Sequence, residues 1–203
     1  MNIVCLDLEG VLVPEIWIAF AQKTGIEELK RTTRDEPNYD VLMRYRLNIL
    51  KENNLKLNDI QKVIGSLEPL NDAKEFLNEL RKHFQVVILS DTFYEFAMPL
   101  MEKLNMPTLF CHHLEMNQEN EIINYHLRQK NQKAQAVQVL KSLNFKVFSS
   151  GDSYNDLGML KESDQGFFYN PPENIKNDYQ EFPAVYHYQD LLKCFLKADE
   201  SFK

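Results

Sequence analysis

Three short apolar runs recur along the chain, each closed by small or acidic residues. Ile3-Val4-Cys5-Leu6 precedes Asp7, Val86-Val87-Ile88-Leu89 precedes Ser90-Asp91-Thr92, and Val147-Phe148 precedes Ser149-Ser150-Gly151-Asp152. Short apolar runs without alternation predict strands buried on both faces, as in a parallel sheet. Gly166–Tyr169 and Ala184–Tyr186 predict two more strands. Helical patterns lie between and after them, at about 72–83, 94–104, 132–143, 154–162 and 188–198. Strand alternating with helix predicts an α/β protein, a parallel sheet with helices on both faces.

Two segments break the alternation. Residues 14–70 read as helical throughout, with Pro14 suited to a helix start and Gly25 to a stop. The segment is too long for a simple crossover and predicts a helical insertion with its own small core. That leaves 1–13 and 71–203 as the main body. Residues 111–128 carry apolar positions Leu114, Met116, Ile122, Ile123, Tyr125 and Leu127 around Asn117-Gln118-Glu119-Asn120, which predicts an antiparallel hairpin. Residues 170–183, with Pro171, Pro172 and Pro183, predict a loop with room for one helical turn.

Composition narrows the function classes. The chain has 203 residues, net charge −7 and 44% hydrophobic residues, so it folds around a sizeable core and lacks the basic surface of a nucleic-acid binder. No apolar run reaches the ~18 residues of a membrane span, and the first residues do not read as a signal peptide. Cys5, Cys111 and Cys194 give no disulfide framework and are expected to be small buried residues of a cytoplasmic protein.

In open α/β sheets ligands bind beyond the carboxyl ends of the strands. Five carboxylates fall there: Asp7, Glu9, Asp91, Asp152 and Asp156. Unpaired they would repel one another, and oxygen donors without nearby Cys or His suit Mg2+. Ser90, Asn155 and backbone N–H groups at helix starts can hold an anion beside the cation. Carboxylates, a hard cation and an anion cradle together point to phosphoryl transfer. Taken singly, each Asp is as well explained as a turn former or helix cap.

Asp7-x-Glu9-Gly10-Val11, Ile88-Leu89-Ser90-Asp91 and Gly151-Asp152-Ser153-Tyr154-Asn155-Asp156 resemble the first, second and fourth motifs of the haloacid dehalogenase (HAD) superfamily of phosphohydrolases. More narrowly, the chain resembles phosphoserine phosphatases, above all the bacterial phosphoserine phosphatase/homoserine phosphotransferase type that shares the opening Asp-Leu-Glu-Gly-Val-Leu-Val-Pro-Glu. The resemblance implies a Rossmann-like core, with 14–70 as a small helical cap. It also implies Asp7 as nucleophile and Glu9 as general acid. Glu9 stands where the family usually carries Asp and reaches one methylene further. Mg2+ would bind Asp7, Asp152 and the Glu9 carbonyl, with Asp156 orienting that site. Ser90, the Asp91 N–H and Asn155 would hold phosphate. A lysine at a helix start would supply the third motif. Lys133, in the first turn set by Ala136, Val137 and Leu140, is preferred to Lys130 at the end of the hairpin.

For the substrate, the resemblance assigns Glu15 to an ammonium and Arg46 to a carboxylate. Arg46 has Leu42, Met43, Ile49 and Leu50 three and four residues away and so projects from an apolar face, where an unliganded Arg is uncommon. Glu15, expected in the first turn of a helix, is an ordinary residue there. Whether Asp91 meets substrate through its side chain stays open. The histidines carry no zinc spacing; His112, His113 and His126 are expected in surface or hairpin roles. The implied activity is Mg2+-dependent dephosphorylation of O-phospho-L-serine, a small molecule, through an aspartyl phosphate, with homoserine as an alternative acceptor. The rivals are a phosphatase for another small phosphomonoester and a catalytically silent module on the same fold.

Overall fold

The computed structural model describes residues 1–32, 35, 36 and 38–201, so positions 33, 34 and 37 of the expected insertion lie outside the described residues. In chain order the elements are β1 (Asn2–Leu6), α1 (Ile16–Thr24), α2 (Tyr39–Glu52), α3 (Leu57–Gly65), α4 (Ala73–Leu80), β2 (Gln85–Phe93), α5 (Tyr94–Lys103), β3 (Thr108–Met116), β4 (Ile122–His126), α6 (Gln132–Ser142), β5 (Lys146–Gly151), α7 (Leu157–Glu162), β6 (Gln165–Tyr169), α8 (Glu173–Asp178), β7 (Ala184–Val185) and α9 (Tyr188–Glu200). The sheet order is β4-β3-β2-β1-β5-β6-β7, with β4 antiparallel to β3 and the other pairs parallel.

β1 shows why its run is apolar at every position. Ile3 and Cys5 pack into a cluster with Val137, Met159 and Leu160 of α6 and α7. Val4 and Leu6 enter the larger core on the opposite face, with Phe76, Leu77 and Phe195 of α4 and α9. Both faces are buried, so alternation disappears. The same central placement brings the ends of β1, β2 and β5 side by side, with Leu6 opposite Ile88 and Ser150.

Several details differ from the sequence expectation. β3 begins at Thr108, and its first half pairs in parallel with β2 before the strand turns to the hairpin. The expected helix at 154–162 is a 3-10 turn, Tyr154–Asp156, followed by α7. The 170–183 loop contains the six-residue α8. The insertion is not helical throughout: α1 ends at Gly25 in left-handed backbone, φ +74°, and a 3-10 turn covers Glu27–Lys30 before α2 and α3. Glu15 precedes α1 rather than lying in its first turn.

The helices of 14–70 do not form the separate small core expected of them: Phe20, Met43 and Ile60 join the same buried cluster as Leu6 and Phe76, and polar contacts tie these helices to the strand ends. Tyr39 Oη donates to the Asp91 carbonyl at 3.3 Å, and Tyr125 Oη of β4 donates to Asp40 at 2.6 Å. Gln61 of α3 donates to the Glu95 carbonyl at 2.9 Å. Cys5 and Cys111 are buried free thiols and Cys194 is partly buried. No helix among the described residues is long and apolar enough to cross a membrane.

Candidate active site

The site forms where β1, β2 and β5 end. Asp7, the first residue past β1, is 3% exposed, and its N–H donates to the Ser150 carbonyl at 2.9 Å. Its Oδ1 accepts from the Leu8 N–H and from Lys133 Nζ, each at 2.8 Å. The chain then turns sharply, Leu12 and Val13 N–H both returning to the Leu8 carbonyl. Gly10 sits in this turn at φ +77°, and any Cβ there would run into the Asp152 carboxylate. Glycine is required on both counts.

Lys133 lies in the first turn of α6 and is 3% exposed. Its ammonium contacts Asp156 Oδ1 at 2.7 Å, Asp7 Oδ1 at 2.8 Å and Asp91 Oδ2 at 3.8 Å. Burial disfavours the charged ammonium, but Asp156, Asp7 and Asp91 outweigh it and hold its pKa well above the ordinary lysine value. Lys130 is exposed.

Asp156 is fully buried. Its Oδ2 accepts from the N–H groups of Asp152 and Ser153 at 3.0 Å and from Ser153 Oγ at 3.2 Å, while Oδ1 takes Lys133. A Cβ at Gly151 would overlap this carboxylate. Asp156 therefore locks the loop that carries Asp152. Ligand oxygens of Asp7, Asp152 and Asp156 lie within 4.8 Å of one another. Burial, Asp156 and Glu15 push Asp152 up to about 7, and burial and Asp156 drive Asp7 well upward against the pull of Lys133. Three facing carboxylates with one lysine between them are short of positive charge. An oxygen-only donor set fits a hard divalent cation. Asp156 has both oxygens occupied, which leaves Asp7 and Asp152 as the carboxylates available to such an ion.

Glu9 is half-buried and its Oε2 accepts the Ile16 N–H at 2.9 Å. Burial, then the facing Glu15, push its pKa up to about 8. Glu15 is exposed. Arg46 is 6% exposed on α2. Its guanidinium stacks on the Trp17 ring at 4.5 Å and donates to the Arg31 carbonyl at 2.7 Å, while Nε has no partner. Burial lowers its pKa to about 10, and no carboxylate lies within ion-pair distance of it among the described residues.

Ser90 is 2% exposed, and its Oγ accepts the Thr92 N–H at 3.2 Å. The Asp91 side chain is engaged within the protein, by Gln132 Nε2 at 3.0 Å and Asn155 Nδ2 at 3.4 Å. Burial alone would raise the Asp91 pKa, but Lys133, His112, Gln132 and Asn155 hold it well below the usual carboxylate range. Two neighbours escaped the sequence reading. His112 is buried at 4%, not a surface residue, with Nε2 3.7 Å from Asp91 Oδ1. Gln132 is buried at 2% beside Lys133. Trp17 of α1, partly buried against the core, is the platform for Arg46.

Buried carboxylates around a buried lysine, with acidic loops at three parallel strand ends, form a site of the phosphohydrolase type, and the comparisons with known proteins agree. Residues 1–164 match the haloacid dehalogenase-like hydrolase family, and the chain belongs to that family. It is 59% identical over 198 residues to phosphoserine phosphatase ThrH of Pseudomonas aeruginosa, covering 98% of this chain and 97% of that protein. It is 56% identical over 198 residues to a phosphoserine phosphatase of Pseudomonas syringae pv. tomato, covering 98% of this chain and 84% of that one. The fold matches a crystal structure of phosphoserine phosphatase in apo form with a TM-score of 0.77 at 20% identity, over 95% of this chain and 98% of that chain.

Proposed function

We propose that this chain is a Mg2+-dependent phosphoserine phosphatase acting through an aspartyl phosphate on Asp7. The observation that carries the substrate choice is Arg46, a buried guanidinium with an unpartnered Nε and no carboxylate partner among the described residues. A buried charge of this kind calls for a carboxylate ligand, which an amino-acid ester supplies and a sugar phosphate does not. Glu15, exposed beside Glu9, would receive the substrate ammonium. Residues 14–70 then act as the cap over a core of 1–13 and 71–203.

In the first step an Asp7 carboxylate oxygen attacks phosphorus in line, the bond from phosphorus to the serine oxygen breaks, and Glu9 gives its proton to the departing oxygen. Its raised pKa keeps that proton available at neutral pH. In the second step Glu9 takes a proton from water, whose oxygen attacks phosphorus. The bond to Asp7 breaks and the carboxylate returns. Lys133 steadies Asp7, while Ser90, the Asp91 N–H and Asn155 hold phosphate oxygens. Asp7, Asp152 and the Glu9 carbonyl would hold Mg2+, which when bound offsets phosphate charge so that one anion can approach another. Homoserine carries the same ammonium and carboxylate, so it would compete with water for the phosphoryl group. Three free cysteines suit a reduced, cytoplasmic setting.

The test is a screen of phosphoserine, phosphothreonine and sugar phosphates with and without Mg2+, repeated with homoserine and followed by phosphorus NMR. The reading expects phosphoserine to be preferred, chelation to silence turnover, and O-phosphohomoserine to appear. Preference for a sugar phosphate would refute the substrate. Inorganic phosphate alone, at inhibitory homoserine, would refute the transfer.

A further inference from the structure

Beside the phosphate-side residues a closed ring of polar contacts joins four segments of chain. His112 of β3 accepts the Arg128 N–H on Nδ1 at 3.1 Å, so the proton of the neutral ring sits on Nε2, 3.7 Å from Asp91 Oδ1. Arg128 donates through Nε and Nη2 to Gln132 Oε1, both at 3.2 Å. Gln132 Nε2 completes the ring by donating to Asp91 Oδ1 at 3.0 Å and to the Ser90 carbonyl. Arg can only donate, while a carboxylate and a carbonyl can only accept. The partners therefore dictate the amide's orientation.

The ring repairs a defect in the sheet. Pairing between β2 and β3 is regular up to Leu89 and Phe110, then resumes only at Phe93 and His112. Ser90, Asp91 and Thr92 bulge out of that ladder. A bulge disrupts the backbone ladder, and the Gln132 amide donates to the Ser90 carbonyl within it. Gln132 also immediately precedes Lys133, at the start of α6. One side chain thus ties the Ser90 segment to the helix that carries the site's lysine. With Gln132, Asn155, His112 and Lys133 around it, the Asp91 carboxylate is engaged by the protein itself.

We propose that Gln132 is a positioning residue, which sets the distance between the Ser90–Asp91 phosphate-binding segment and Lys133 and so tunes the affinity of the site for the phosphoryl group. This rests on the phosphatase reading for the site's location but not on the identity of the substrate. The Gln132 side chain is taken up by Arg128, Ser90 and Asp91, so it acts through Ser90, Asp91 and Lys133. Gln132→Glu is the sharpest variant, because it keeps the side chain's size and still accepts from Arg128 but turns a carboxylate oxygen toward two acceptors.

The experiment measures binding of inorganic phosphate to the Mg2+-loaded protein by calorimetry, together with kcat and KM for phosphoserine. Gln132→Glu is expected to weaken phosphate binding about tenfold or more and to lower kcat. The ratio of KM between phosphoserine and an aryl phosphate should stay within about twofold, since the cap is untouched. Arg128→Ala, which frees Gln132 Oε1 but leaves its donors, should move phosphate binding the same way by a smaller factor and covers the case in which Gln132→Glu does not fold. Phosphate affinity within twofold of wild type in a folded Gln132→Glu, or in Arg128→Ala should the first variant not fold, overturns the proposal. Normal phosphate binding by the wild type without phosphoserine turnover would instead overturn the substrate reading alone.

Discussion

Lys133→Met removes the one ammonium at the centre of the acidic site while keeping a side chain of similar length. The lost contacts are to Asp156 at 2.7 Å, Asp7 at 2.8 Å and Asp91 at 3.8 Å, with the Lys133, Asp7 and Asp156 side chains 5% exposed or less. Removing one partner of a buried ion pair costs about 3–5 kcal/mol, because the remaining charge stays desolvated. In a domain of this size each kcal/mol moves the melting temperature by about 2–4 °C, so the variant should melt roughly 6–20 °C below wild type in chelator. The sign of the pH dependence follows from the carboxylates. Burial and Asp156 already raise Asp7, and loss of the lysine raises it further. A carboxylate raised in the fold costs stability as pH climbs from about 4 through that raised value. The deficit of the variant should therefore be largest near pH 8 and shrink toward pH 5. Calorimetric or circular-dichroism melts of both proteins at the two pH values provide the test. A difference under about 2 °C at pH 8 would refute the charge argument, and an equal deficit at both pH values would assign the cost to packing.

Three further outcomes are expected. Asp7→Asn should abolish turnover while keeping the fold, checked by steady-state assay and melting temperature with reversion to Asp excluded by mass. Arg46→Ala should weaken phosphoserine kcat/KM by about thirtyfold, equivalent to on the order of 2 kcal/mol for a charge-assisted contact, while aryl phosphate hydrolysis changes far less; equal losses would move Arg46 out of substrate recognition. Activity should fall on the alkaline side as Glu9, with its pKa near 8, loses its proton. Glu15→Gln, by removing a repelling charge, should shift that limb to lower pH in the rate profile.

The central strands were legible because both faces of β1, β2 and β5 are buried, which leaves an unbroken apolar run. The first half of β3 was hidden because Thr108 is exposed and Phe110 is only half-buried, so the residues after Pro107 carry little strand signal. The burial of Lys133 in the first turn of α6, against the exposure of Lys130, was legible because Ala136, Val137 and Leu140 set the helix face. Arg46 could be read because its four helical neighbours are apolar. The ring at Gln132 had no such signal. Its partners lie 4, 41 and 42 residues away in sequence, and a glutamine at a helix start looks like any solvated residue. Tyr154–Asp156 looked helical because a 3-10 turn and an α-helix share their polar spacing over three residues. What separates them is the Asp156 carboxylate folding back onto the Asp152 and Ser153 N–H groups.

The phosphoryl group on Asp7 is the centre of this account. Protein mixed with phosphoserine and Mg2+, quenched in acid within the first turnover and digested, should yield one peptide heavier by a single phosphoryl group. That group should map to Asp7 and be absent from Asp7→Asn. A phosphoryl group on another residue, or full single-turnover release of phosphate with no modified peptide at any quench time, would contradict it.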